Sequence, residues 1–124
     1  MHDCGTVINP MVVEGQVVGG VAHGIGNALF ERLLHDPGAQ PQTVNFADYL
    51  LPGATDMPPI HILHSQTPSP LNPLGMKGAG EGGTIPAIAA VISAVENALA
   101  PFGIKINEAP ISPARIVELV RMAR

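Results

Sequence analysis

A single acidic residue, Glu81, lies in a segment rich in proline and glycine that runs from Thr67 to Gly83. Glycines flank it on both sides, so a large ligand can lie against the backbone while one carboxylate reaches the reactive end of that ligand. A carboxylate in a buried site can serve as a general base. The same carboxylate can instead stabilise the first turn of a following helix, where negative charge is favourable. The local pattern alone favours the capping role.

Residues Gly78 to Gly83 also match the G-x-G-x-x-G pattern of dinucleotide-binding loops. That fingerprint requires a hydrophobic strand immediately before the loop and an acidic residue at the end of a second strand about 20 residues later. Here Pro70, Asn72 and Pro73 precede the loop, and the next acidic residue, Glu96, falls inside a predicted helix. A dinucleotide-binding module is therefore an alternative that the context disfavours.

The histidines and the single cysteine do not form a second candidate site. His61 and His64 point to opposite faces if they lie on a strand, so they do not suggest a metal pair. Cys4 has no acid–base partner beside it, and one cysteine excludes an internal disulfide and a cysteine-ligated iron–sulfur cluster. His2 and His35 lie at the chain start and in a turn, and we assign them no role.

The first predicted helix follows the turn signal Asn9-Pro10 and ends at the helix-breaking residues His35 to Gly38. Its apolar positions recur every three or four residues, at Val12, Val13, Val17, Val21, Ile25, Leu29 and Leu33. Its glycines, at positions 15, 19, 20, 24 and 26, each weaken a helix by up to about 1 kcal/mol relative to alanine. We therefore expect another part of the structure to pack very close to this helix.

The order of elements predicts an α+β fold of one domain, with two main helices, a C-terminal helix and a few short strands that pair with polypeptide outside these residues. The other predicted elements are a strand at Ile60–His64, a helix capped by Thr84 that ends before Pro101, a strand at Ile104–Ile106, and a final helix capped by Ser112 and completed by Arg121 and Arg124.

Composition excludes several classes of function. The chain has 124 residues, of which 46% are apolar and 13% charged, so it has more to bury than a small free-standing domain. Its net charge of −4, its few aromatic residues and the absence of a Lys/Arg run disfavour nucleic acid as a partner. Polar residues and glycines interrupt the apolar stretch from Val12 to Leu34, so a membrane span or a signal peptide is not expected. We expect a cytoplasmic protein.

Several motifs in the same order resemble the molybdopterin-binding large subunits of the xanthine dehydrogenase, aldehyde oxidase and carbon monoxide dehydrogenase family. The resemblance runs nearly from end to end, and residues 1–124 are then the C-terminal segment of the molybdopterin-binding domain. The motifs that carry it are Asp3-Cys4-Gly5 with Ile8-Asn9-Pro10, the glycine-rich stretch from Gly15 to Gly26, Asp48 to Pro52, and Asn72 to Glu81.

This resemblance implies a role for five residues. It places the general base of a molybdenum hydroxylase on Glu81, and it brings Gln16 close to an oxygen ligand of the metal. Lys77, Gly78 and Gly80 become the cofactor contacts, through backbone amides and one positive charge. The metal is held by the pterin, so a cluster of protein metal ligands is not expected.

The resemblance also implies cofactors and partners. The cofactor is molybdopterin with molybdenum, in the cytosine dinucleotide form, while iron–sulfur clusters and FAD belong to an iron–sulfur subunit and an FAD subunit. The remaining partners are the rest of the large subunit and a small-molecule substrate that the sequence does not identify. His23 stands where many members have glutamine, which leaves a cofactor contact at that position open.

Family large subunits are several times longer than this chain, so we expect a split subunit, a truncated remnant or a fragment of a gene. The isolated chain is then expected to bind no molybdenum and to be inactive. The competing hypothesis is a non-catalytic remnant or interaction module of the same shape.

Overall fold

The computed structural model describes all residues from 1 to 124. Its three helices are α1 (Pro10–Leu29), α2 (Thr84–Ala98) and α3 (Pro113–Met122). Its two strands are β1 (His2–Asp3) and β2 (His64–Ser65), and short 3₁₀ turns cover Ala54–Asp56 and Ala100–Phe102. The predicted α+β class and the three predicted helices are confirmed, whereas the strands are shorter than expected. None of the helices is long and apolar enough to span a membrane.

Helix α1 begins where the sequence predicts. The side chain of Asn9 accepts a hydrogen bond from the Val12 N–H at 3.2 Å, and Pro10 occupies the first helical position, where its missing N–H costs nothing. The helix ends at Leu29, four residues before the last apolar position of the periodic pattern, Leu33, which is 71% exposed. The predicted end at His35 to Gly38 is therefore wrong, because nothing in this structure covers Leu33.

Glycines on α1 allow the backbones of α1 and α2 to approach closely, as predicted. A methyl group added at Gly24 would lie 2.5 Å from the Cβ of Ala87, and one added at Gly20 would lie 2.9 Å from the Thr84 nitrogen. On the facing side, a methyl group at Gly83 would lie 2.4 Å from the carbonyl oxygen of Val17. The small residues thus fix the distance between α1 and the start of α2.

Two other glycines of α1 have no such explanation in this chain. Added methyl groups at Gly15 and Gly19 would meet no atom within 4 Å. These positions lie on the part of α1 that faces away from α2.

The strands form a two-residue parallel pair, in which His2 is opposite His64 and Asp3 is opposite Ser65. Only His64 of the predicted strand Ile60–His64 belongs to it. The predicted strand at Ile104–Ile106 does not form, because the Ile106 N–H donates to the Glu96 carboxylate at 2.8 Å instead of to a neighbouring strand. The strand predicted at Ile60–His64 is thus too long, and the expectation that the short strands pair with polypeptide outside these residues is wrong for β2, because its partner is β1 of the same chain.

Of the caps predicted for α2 and α3, only the one at α3 forms. Thr84 is the first residue of α2 and not its cap, since Gly83 precedes it and no side chain caps the helix. Ser112 does cap α3, where its hydroxyl oxygen accepts from the Arg115 N–H at 3.3 Å. Arg121 lies in the last turn of α3 as predicted, whereas Arg124 lies beyond its end.

The chain exposes far more surface than a folded protein of its size usually does. Its accessible surface is 8419 Å², and only 14 of its 124 residues are buried. A monomer of 12.8 kDa is expected to expose about 6300 Å², so the excess is about one third. The core is correspondingly small and consists of Cys4, Val17, Ile25, Ala28, Ala87, Leu99, Ile104 and Ile111. Apolar faces that a complete domain would bury therefore lie open.

Candidate active site

The segment that carries Glu81 is shaped by hydrogen bonds to the start of the chain. The Thr6 N–H donates to the Gly75 carbonyl oxygen at 3.0 Å, and the Lys77 N–H donates to the Cys4 carbonyl oxygen at 2.7 Å. Gly75 has a φ of +68°, which favours glycine, and a methyl group there would lie 2.8 Å from the Thr6 hydroxyl oxygen. The loop is thereby held against the residues before α1.

The side chain of Asn72 closes a turn inside the same loop. Its amide nitrogen donates to the Met76 carbonyl oxygen at 3.0 Å, and its amide oxygen accepts from the Met76 N–H at 3.0 Å. Such reciprocal bonding replaces backbone pairing where the chain turns. The loop therefore reaches Lys77 with a defined direction.

Asp3 connects the loop to the first strand through several donors. Its carboxylate accepts from the Gly5 N–H at 2.8 Å and from the Thr67 N–H at 3.2 Å, and the Lys77 ammonium lies 3.4 Å away. The Gly5 N–H, followed by the bonds from Thr67 and Lys77, holds the pKa of the Asp3 carboxyl well below its usual range. Asp3 therefore stays ionised and restrains the side chain of Lys77.

Gln16 reaches from α1 to the loop. Its side-chain amide nitrogen donates to the Gly80 carbonyl oxygen at 2.8 Å, although the two residues are 64 positions apart. Since an amide group carries two N–H bonds, the second hydrogen is free for another acceptor. The structure thus brings Gln16 to the residue immediately before Glu81.

The backbone of Glu81 accepts hydrogen bonds from the start of α2, and its carboxylate has no hydrogen-bond partner. Its carbonyl oxygen accepts from the Thr84 N–H at 3.0 Å and from the Ile85 N–H at 3.2 Å. No side chain caps α2, so the carboxylate does not perform the capping role that the local sequence pattern favours. The residue is exposed in this chain. Its carboxylate is therefore available to a ligand lying against the loop.

The loop backbone suits a large anionic group. None of the amide N–H groups from Gly78 to Gly83 donates to a backbone carbonyl, whereas the amides of Lys77 and Thr84 on either side do. Methyl groups added at Gly78 or Gly80 would meet no atom within 4 Å, so the backbone is open at both positions. Free amides next to the ammonium of Lys77 bind negative charge favourably. These residues fit a phosphate-bearing or dithiolene-bearing cofactor.

No group of three or more His, Cys, Asp or Glu side chains lies close enough together to hold a metal ion. His64 lies beside Glu14, with 3.7 Å between the two side chains, while His61 and His23 are exposed. Cys4 is buried and free.

The contact between His2 and Gly82 was not predicted from the sequence. The imidazole ring of His2 packs directly on Gly82, next to Glu81, whereas no role is assigned to His2 from the sequence. No local pattern signals this contact, because it joins residues 80 positions apart. The role of Asp3 had a signal in the Asp-x-Gly spacing of Asp3 and Gly5, which is typical of a side chain that bonds its own backbone two residues on.

Known proteins are similar to this chain over nearly its whole length. A family model described as molybdopterin cofactor-binding domain matches residues 1–58. The chain is 46% identical over 121 residues to the nicotine 6-hydroxylase large subunit of Paenarthrobacter nicotinovorans, covering 98% of this chain and 15% of that subunit. It is 34% identical to the carbon monoxide dehydrogenase large chain of Hydrogenophaga pseudoflava, covering 94% of this chain and 14% of that one.

Solved structures show the same fold. Quinoline 2-oxidoreductase from Pseudomonas putida 86 superimposes with a TM-score of 0.93 at 49% identity, over 96% of this chain and 15% of that one. A Cu,Mo-CO dehydrogenase superimposes with a TM-score of 0.92 at 31% identity, over 98% of this chain and 15% of that one.

The chain belongs to the molybdopterin-binding large-subunit family that includes the xanthine and carbon monoxide dehydrogenases, and it corresponds to a segment of such a subunit. It spans about 15% of the length of the relatives it matches. The predicted family is confirmed. The dinucleotide-binding alternative is not supported, because the residues before Gly78 form a loop and not a strand.

Proposed function

We propose that this chain supplies the active-site base and part of the molybdopterin site of a molybdenum hydroxylase large subunit. Glu81 is the base, and the cofactor contacts are Gln16, Lys77, Gly78 and Gly80. The observation that carries the proposal is the loop itself, in which an unbonded carboxylate stands among backbone amides that have no carbonyl partner. Those amides attract the anionic cofactor, and the carboxylate is left to react.

Each of these residues has a defined task. Bound molybdopterin supplies a molybdenum centre that accepts the electrons removed from the substrate. Glu81 accepts the proton released as oxygen is transferred to an electron-poor carbon of a small-molecule substrate. Gln16 donates one N–H to the Gly80 carbonyl oxygen, and its second N–H would donate to an oxygen of the cofactor when it is bound. Lys77, restrained by Asp3, adds positive charge to the amides of Gly78 and Gly80.

The finer assignment of cofactors and partners belongs to the same proposal. The cofactor is the cytosine dinucleotide form of molybdopterin, and iron–sulfur clusters and FAD are carried by an iron–sulfur subunit and an FAD subunit. One relative bears the name 6-hydroxypseudooxynicotine dehydrogenase complex subunit gamma, which supports a multisubunit assembly. We place the assembled enzyme in the cytoplasm.

The rest of the large subunit is the partner that covers the open faces of this chain. An apolar cavity of about 280 Å³ lies between α1, α2 and residues 60–63, and it is bordered by Gly82 and Gly83 of the loop. The excess of exposed surface supports the same partner, because burial of open apolar area is the main driving force for association. Covering this side of the loop excludes bulk water from the surroundings of Glu81.

The test is replacement of Glu81 in the assembled enzyme that contains these residues. Glu81→Gln keeps the size of the side chain and removes its ability to accept a proton, so kcat should fall by about 100- to 10,000-fold. Molybdenum content, measured on the same samples, should stay at the wild-type level. The control is His35→Ala, because His35 is exposed and is distant in sequence from the loop. Wild-type turnover by Glu81→Gln would remove Glu81 from its role and favour a non-catalytic module.

A further inference from the structure

The imidazole ring of His2 is the nearest group to Gly82. A methyl group added at Gly82 would lie 2.4 Å from Cε1, 2.5 Å from Nδ1 and 3.3 Å from Nε2 of His2, and these are its three nearest neighbours. The φ angle of Gly82 lies outside the left-handed region, so the backbone does not itself require glycine. A residue larger than glycine at position 82 would therefore collide with the imidazole ring of His2.

The position of His2 is set by β1. Its N–H donates to the Leu63 carbonyl oxygen at 3.2 Å, and it is paired with His64 across the parallel strands. The Nε2 atom of His2 is shielded from solvent and has no hydrogen-bond partner. The ring consequently acts on the loop through its shape and its packing, and not through a hydrogen bond.

Glu81 is thus restrained through both of its neighbours in the sequence. Gln16 holds the Gly80 carbonyl oxygen from α1, and the His2 ring bears on Gly82 from β1. A general base must be held close to its productive position, because a displacement of about 1 Å can cost about 100-fold in rate. A loop of small residues has little packing of its own to provide this precision.

We propose that His2 is a positioning residue for Glu81, which it acts on through van der Waals contact with Gly82. The inference rests on the proposed role of Glu81 as the base. It assigns to His2 a function that is exerted through the loop backbone at Gly82.

The experiment is a double-mutant cycle in the assembled enzyme that contains these residues. Gly82→Ala places a methyl group against the ring, so kcat should fall by about 10- to 100-fold while KM changes little. His2→Ala should lower kcat by a smaller factor, because the loop becomes loose but is not displaced. In the double variant, removal of the ring makes room for the methyl group, and kcat should rise above that of Gly82→Ala alone. His35→Ala is the matched control and should keep wild-type kcat.

The rescue separates positioning from general damage to the structure. A merely structural role predicts that the two losses add in the double variant, and additive losses would overturn the proposal. If His2→Ala does not yield folded enzyme, His2→Asn paired with Gly82→Ala completes the cycle with a side chain that stays polar but shorter. The same criterion of rescue against additivity applies to it.

Hydrogen exchange distinguishes failure of this inference from failure of the proposed function. The amides of Thr84 and Ile85, which donate to the Glu81 carbonyl oxygen, should exchange faster in His2→Ala than in the control, whether or not Glu81 is the base. Wild-type turnover by Glu81→Gln together with faster exchange in His2→Ala would refute the catalytic role of the loop and hence of His2 in catalysis. Loss of turnover in Glu81→Gln together with unchanged exchange and no rescue would overturn the role of His2 alone.

Discussion

Replacing Gly24 with alanine tests the close packing of α1 against α2, on which the geometry of the loop depends. The added methyl group would lie 2.5 Å from the Cβ of Ala87 and 3.1 Å from the Thr84 carbonyl oxygen. Carbon atoms in favourable contact are about 3.5–4.0 Å apart, so the helices would have to separate by about 1 Å. Overpacking of this kind costs about 1–3 kcal/mol.

A gain in helix propensity opposes that cost. Alanine is favoured over glycine in a helix by about 1 kcal/mol, so Gly24→Ala should destabilise the fold by up to about 2 kcal/mol net. Gly19 provides the matched comparison, because a methyl group there meets no atom within 4 Å. Gly19→Ala should therefore keep the propensity gain and stabilise the chain by up to about 1 kcal/mol.

The assay is urea unfolding of the chain, followed by circular dichroism for both variants and for Gly24→Ala combined with Ala87→Gly. The double variant exchanges the two side chains across the contact, and it should recover part of the stability that Gly24→Ala loses. If Gly24→Ala is as stable as Gly19→Ala, the helices do not approach as closely as described, and the argument that Gly20, Gly24 and Gly83 fix the loop against α1 is wrong.

Two further predictions concern ionisation and cofactor binding. Because the pKa of Asp3 is lower in the folded chain, its ionised form contributes stability that is present above its unfolded pKa and is lost as the pH falls through the folded pKa. Asp3→Asn should thus have a lower urea midpoint than the wild type near neutral pH, and the gap should narrow as the pH falls below about 4; a gap independent of pH would contradict this. The isolated chain should bind no molybdenum when purified from cells that make the cofactor. This chain forms only one side of the cofactor site and cannot enclose so large a group by itself. Stoichiometric molybdenum in elemental analysis would show the opposite.

The sequence predicts the elements that depend on local signals. Asn9 and Ser112 cap helices where their side chains accept backbone N–H groups three residues later, which a sequence pattern can detect. The glycines of α1 indicated a close neighbour, and that neighbour is the start of α2. The long loop up to Gly83 is likewise present, since proline and glycine prevent regular structure there.

Features that depend on long-range partners could not be read from the sequence. Helix α1 ends early at Leu29 and β2 is limited to two residues, because the extent of each element is decided by what packs or pairs with it. The same holds for the contact between His2 and Gly82. For the candidate site, local pattern favoured Glu81 as a capping residue, and only the ordered motifs of the family indicated a base. Those motifs also pointed to Gln16, but its bond to Gly80 appears only in the structure.

The most direct test of this account is a determined structure of the assembled large subunit with its cofactor bound. We predict that the Glu81 carboxylate lies about 3 Å from the oxygen that reacts with the substrate, with Gln16 still bonded to Gly80. A Glu81 carboxylate that points into bulk water, away from the molybdenum, would contradict the account.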